Sequence, residues 1–98
     1  MGSLTSRRFA ANLRCLRDDA GLTQEELAFL ARIHRTQVSL MESGERLPRF
    51  DTLVRLIGAL GVDHGALFAG IAWEPPDLVR GGLLVTPADV DDDAAEEA

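Results

Sequence analysis

The sequence holds no lysine and no tyrosine, and only one cysteine, one tryptophan and two histidines in its 98 residues. A lone Cys15 excludes an intrachain disulfide framework. Two histidines beside it cannot build a Cys/His zinc site of ordinary spacing, so no metal and no cofactor is expected. No uncharged apolar run approaches the roughly 20 residues that span a bilayer. No basic patch followed by an apolar stretch opens the chain, so neither a signal peptide nor a membrane partner is expected. The opening Met1-Gly2-Ser3-Leu4-Thr5-Ser6 fits a myristoylation pattern that is too short and common to carry weight alone. These absences leave a small soluble chain, expected in the cytoplasm, with an apolar fraction of 46% that suffices for one core.

Charge is present but uneven. The net charge is −6, and an acidic balance argues against a nucleic-acid partner. Residues 1–73, however, hold nine arginines against eight acids, whereas residues 74–98 hold one arginine against eight acids. The acidity therefore describes the C-terminal end and not the body. Residues 87–98, with no aromatic residue and a dense run of acids, are expected to be a disordered tail.

Between these ends the apolar spacing is helical. Residues 1–6 read as a flexible N-terminus. Phe9, Leu13, Leu16 and Ala20 then share one face of a helix over 7–20, stopped by Gly21. Thr23 and Glu26 form a capping box for a second helix running to about Ala31, with Leu27, Ala28 and Leu30 or Ala31 inward. After the turn Arg32-Ile33-His34, a third helix spans Arg35 to Glu42 with Val38 and Met41 inward. A fourth, Phe50 to Leu60, has a wide apolar stripe of Leu53, Val54, Leu56, Ile57 and Leu60. Asp63 suits the N-cap of a short fifth helix that buries Leu67 and Phe68. Glu74-Pro75-Pro76-Asp77 breaks helix, and Ile71-Ala72-Trp73 is placed to pair with Leu83-Leu84-Val85 as a small hairpin. The expected fold is all-α, five helices over 7–70, with an extended or hairpin segment over 71–86.

Two short helices joined by a three-residue turn over Thr23–Glu42 make a helix-turn-helix unit. Its second helix carries a polar face of Arg35, Thr36 and Ser39 with Gln37 beside them, residue types that can fork onto guanine, bond adenine or touch a thymine methyl. The same residues also suit a merely solvated face. The stretch Leu22-Thr23-Gln24-Glu25-Glu26-Leu27-Ala28 resembles the L-[ST]-Q-x-x-L-A opening of the phage-repressor and Cro-type helix-turn-helix family, also called the xenobiotic-response-element family. Val38-Ser39-Leu40-Met41-Glu42-Ser43-Gly44 resembles its I-S-x-x-E-x-G segment, and Pro48, Leu53 and Ala59-Leu60-Gly61-Val62 resemble its close. Several segments in the right order make this more specific than one short motif.

The resemblance implies a five-helix regulator that binds double-stranded DNA. It implies base-reading positions at Arg35, Thr36 and Leu40, with Gln37 and Ser39 at the groove edge or backbone. It implies phosphate contacts from Gln24, Ser43, Arg46 and Arg49, and a buried ion pair between Arg17 and Glu42. Three positions depart from the family's pattern. Arg32 stands where glycine is usual, because that residue takes positive φ. His34 stands where Ser or Thr usually caps the recognition helix, and histidine is expected to cap poorly. Leu40 replaces an often polar residue.

No nucleophile–base pair is visible, so no enzyme is expected. Cys15, flanked by core positions, reads as a small buried hydrophobe. Ile71, Trp73, Leu83 and Val85 lie beyond the helices and need cover, either from the chain itself or as a dimer contact. The function expected is sequence-specific DNA binding by a dimeric repressor at the nucleoid. The alternative is a protein-interaction module, an antitoxin or adaptor holding a partner through residues 71–98.

Overall fold

The computed structural model of the protein describes residues 3–75 and 82–87. Four α-helices come first: α1 (Leu4–Asp19), α2 (Gln24–Ala31), α3 (Arg35–Glu42) and α4 (Phe50–Leu60). A short 3-10 helix, His64–Phe68, leads into strands β1 (Ile71–Glu74) and β2 (Gly82–Val85), paired antiparallel as a hairpin. The fold is thus mostly helical with a small hairpin at its C-terminal end. The acidic tail expected over 87–98 lies, from residue 88 onward, outside the described residues.

Helix α1 starts at Leu4 and not at Arg7, because the Ser3 hydroxyl accepts the Ser6 N–H at 3.1 Å and caps an earlier turn. It ends before Ala20, which is exposed and not part of the core. Phe9 and Leu13 are buried there, with Leu16 packed against the core. Cys15 is exposed, a correction to its expected burial. It sits two residues from Leu13, about 200° round the helix, and so faces away from the core.

Leu27, Ala28 and Ala31 supply the buried side of α2, leaving Leu30 half in solvent. Val38 and Met41 do the same for α3, and Leu56, Ile57 and Leu60 for α4. The α4 stripe is narrower than its sequence suggests, with Leu53 partly buried and Val54 exposed. Arg49 precedes α4 in extended backbone without a side-chain cap bond. Gly61 ends the helix at φ 68, and Val62 packs on the core beyond it.

Where the short fifth helix is expected the chain forms a 3-10 helix, so the α-helices number four among the described residues. Ala66 N–H bonds the Asp63 carbonyl at 3.0 Å, an i→i+3 closure, and Asp63 makes no side-chain cap. Five residues containing a glycine are too few to favour a run of i→i+4 bonds. Leu67 is fully buried and Phe68 exposed, so only one of the two expected anchors is used.

Side chains of α1 fasten this C-terminal part. Asn12 Nδ2 donates to the carbonyls of Leu67 and Ala69, each at 2.9 Å, and Arg8 Nε donates to Ala69 at 3.1 Å. Gly70, at φ 83, passes so close that a Cβ there would lie 2.9 Å from Arg8 Nε. The hairpin base closes with Thr86 N–H on the Gly70 carbonyl at 2.7 Å.

Candidate nucleic-acid interface

The helix-turn-helix unit is built from local bonds. Thr23 Oγ1 accepts the Glu26 N–H at 3.0 Å, and Glu26 Oε1 accepts the Thr23 N–H at 2.8 Å, so the capping box is reciprocal. At the end of α2, Arg32 takes φ 58 and ψ 47, the left-handed conformation that favours glycine. Ile33 N–H bonds the Ala28 carbonyl at 3.0 Å across this turn. Arg55 on α4 donates to the Arg32 carbonyl at 3.2 Å.

His34 corrects the expectation of a poor cap. Its backbone is extended (φ −74, ψ 143), and its Nδ1 accepts the Thr36 N–H at 3.0 Å. The imidazole therefore satisfies one of the orphan donors at the start of α3, as a Ser or Thr oxygen would. That bond requires an unprotonated Nδ1 and places the ring proton on Nε2.

From this start α3 is sided. Val38, Met41 and Glu42 are buried, whereas Arg35, Thr36, Gln37 and Ser39 are exposed and Leu40 is half-buried. The polar residues expected to read DNA thus share the outer side of one short, well-anchored helix.

Glu42 is the anchor. It is 3% exposed and lies in a bidentate pair with Arg17, Nε to Oε2 at 2.6 Å and Nη2 to Oε1 at 2.9 Å. Gln24 Nε2 adds a third donor to Oε1 at 3.0 Å. Arg17 also donates to the Leu22 carbonyl at 2.8 Å and lies 3.4 Å from Asp18. The hydrogen bond to Glu42 raises the Arg17 pKa above its ordinary value, desolvation opposes this, and the charges of Glu42 and Asp18 add to it. α1, the N-terminus of α2 and the C-terminus of α3 therefore meet at one carboxylate. Arg14, which sequence reasoning passed over, donates to the Glu42 carbonyl at 2.8 Å and so serves an orphan acceptor at the end of α3. Its place three residues before Arg17, on the same flank of α1, was the available signal.

The loop after α3 carries exposed Ser43, Arg46 and Arg49. Gly44 is buried in it at φ 82, where a Cβ would lie 3.1 Å from Arg7 Cγ. Ser43 Oγ is 2.9 Å from the Leu40 carbonyl and 2.9 Å from Glu45 Oε2. Gln24 is half-buried, with its amide engaged by Glu42.

In the hairpin, Ile71 pairs with Val85 and Trp73 with Leu83, so the register sets the four expected contact residues side by side. Ile71 and Val85 are half-buried, and Ile71 packs on the core; Trp73 is 64% and Leu83 54% exposed. Among the described residues, no three His, Cys, Asp or Glu side chains gather to hold a metal, and no helix is long and apolar enough to cross a membrane.

Comparison with known proteins places this geometry. Residues 13–67 match the helix-turn-helix family HTH_3. The chain is 41% identical over 54 residues to an uncharacterised HTH-type transcriptional regulator, y4dJ, of Sinorhizobium fredii, a match covering 55% of this chain and 70% of that protein. It is similar in structure to the restriction-modification controller protein C.AhdI of Aeromonas hydrophila, at TM-score 0.62 and 36% identity, over 64% of this chain and 96% of that one. The clp gene regulator ClgR of C. glutamicum superposes at TM-score 0.63 and 28% identity, over 68% of this chain and 87% of that one.

Proposed function

This chain belongs to the helix-turn-helix family HTH_3, and on that premise we propose that it is a DNA-binding transcriptional regulator that works as a dimeric, sequence-specific repressor. One observation carries the reading: α3 turns Arg35, Thr36, Gln37 and Ser39 to solvent while Glu42 fixes the helix from behind. In the proposed complex α3 enters the major groove. Arg35, Thr36 and Gln37 meet base edges, and Leu40 touches a thymine methyl at the groove wall. Gln24, Ser39, Arg46 and Arg49, with Ser43 at the start of the loop, face phosphates and set register. Repression then follows from occupancy of a promoter. The family is one of DNA-binding regulators, not of catalysts.

Dimerisation belongs to the same proposal, with the outer hairpin pair Trp73 and Leu83 as the contact between copies and 7–70 as the DNA-binding unit. A second reading, a module that holds another protein through the hairpin, is favoured by the same exposed pair.

The test begins with selection of bound duplexes from a random pool, followed by anisotropy on the selected duplex and a shuffled control. The expected result is tight binding to the selected duplex that persists at about 200 mM salt, while the control is lost. Arg35→Ala is expected to cost about 1–3 kcal/mol and relax preference at one base pair. Equal weakening on all duplexes would remove Arg35 from the base-reading set. Failure to enrich any duplex would move the weight to the protein-interaction reading.

A further inference from the structure

The first residues after α3 engage their donors within the chain. The N–H groups of Ser43, Gly44 and Glu45 bond the carbonyls of Ser39, Met41 and Leu40 at 3.0, 3.2 and 3.1 Å. The Ser43 hydroxyl owns one proton, and both groups within reach of it, the Leu40 carbonyl and Glu45 Oε2, are acceptors. A phosphate oxygen is also only an acceptor. It can take that proton only by displacing a bond already made inside the chain. The Glu45 carboxylate is exposed, and among the described residues no arginine lies within ion-pair distance of it. Its charge therefore has no arginine partner among the described residues, in a loop that also carries the exposed Arg46 and Arg49.

We propose that Glu45 is an affinity-limiting residue of the DNA-contacting loop: it sets a negative charge where the DNA backbone approaches. The inference rests on the DNA-binding reading above and deepens it. Phosphate contacts are shared by all sequences, so Glu45 lowers that shared part of the affinity and leaves base reading on α3 untouched. Arg46 and Arg49 then act against an opposing charge, and the loop positions the protein without holding it on random DNA.

The test is direct and needs no known operator. Wild type, Glu45→Gln, Glu45→Ala and the double variant Ser43→Ala/Glu45→Ala are titrated on a random-sequence duplex and on the selected duplex across salt. Thermal melting of each form verifies that it is folded. Glu45→Gln keeps an oxygen for Ser43 and removes only the charge; it is expected to tighten binding about three- to ten-fold on both duplexes at low salt, an advantage that shrinks as salt screens it. Glu45→Ala removes the same charge and leaves the Ser43 hydroxyl on the Leu40 carbonyl, so it and the double variant are expected to tighten binding to the same extent as Glu45→Gln. Unchanged affinity of Glu45→Gln with a wild type that binds DNA would overturn this inference alone. A gain confined to the selected duplex would overturn it too, because a phosphate-side effect cannot depend on sequence. Absence of binding by every form on every duplex would overturn the DNA-binding reading and take the inference with it.

Discussion

Arg32 shows how one residue can act against its own backbone. An L-residue with a Cβ in the left-handed region costs on the order of 1 kcal/mol, and Arg32 stands there at φ 58. Arg55 donates to the Arg32 carbonyl at this turn. Arg32→Gly is therefore expected to raise stability by about 0.5 kcal/mol, the relieved strain being partly offset by the freer unfolded glycine. A urea melt measures it, and a lower midpoint would show that Arg32 is not strained. This position was legible in the sequence only as a missing glycine. The His34 cap was not legible, since the rule for caps ranks hydroxyl and carboxamide oxygens and says nothing of a neutral imidazole nitrogen held at 3.0 Å. Arg17 has a legible pH consequence. Its pKa is raised in the folded state, so the stability it contributes is full below the unfolded arginine value and is lost only as pH rises through the folded one, far above neutrality. The Arg17 side of the pair is thus constant across the physiological range.

Among the elements, the decisive link is the one carboxylate at which three helices converge. Glu42→Ala leaves Arg17 without its buried partner and is expected to cost about 3–5 kcal/mol in a denaturant melt. Arg35→Ala on the outer side of the same helix should stay within about 0.5 kcal/mol in that assay. Similar losses from the two would mean that α3 is not anchored through Glu42. The four α-helices were readable because each combines a repeating apolar side with a stop: Gly21 after α1, Gly61 after α4. The fifth element is legible as a short helix from Asp63 and Leu67, but its 3-10 form is not, since only its length and Gly65 argue for it. The outward face of α3 was readable from Val38 and Met41, which leave the intervening residues no other side. The Arg17–Glu42 pair was accessible only through family resemblance, because residues 25 positions apart have no spacing rule to join them.

At the scale of the whole molecule the hairpin leaves Trp73 and Leu83 in solvent on one face, at 64% and 54% exposure, and Leu84 on the other. An apolar surface of this kind on a small protein calls for cover. Trp73→Glu is expected to shift the protein from dimer to monomer in sedimentation equilibrium and to weaken DNA binding, with helix content unchanged. A dimer of undiminished strength would remove the hairpin from that role.

The bonds from Asn12 to the carbonyls of Leu67 and Ala69 reach across 55 and 57 positions of the chain. They also set an order of events during synthesis. α2 and α3 can pack on each other as soon as residue 42 has emerged, because their contacts are close in sequence. α1 has no such early partner for its Asn12, and Leu67, which completes the core beside it, is the last of the buried core residues to appear among the described residues. Until then Phe9 and Leu13 lack part of their cover on a growing chain. The C-terminal clasp on α1 is therefore late to close, and a chain that has emerged only as far as α4 has α3 already held at Glu42 and that clasp still open.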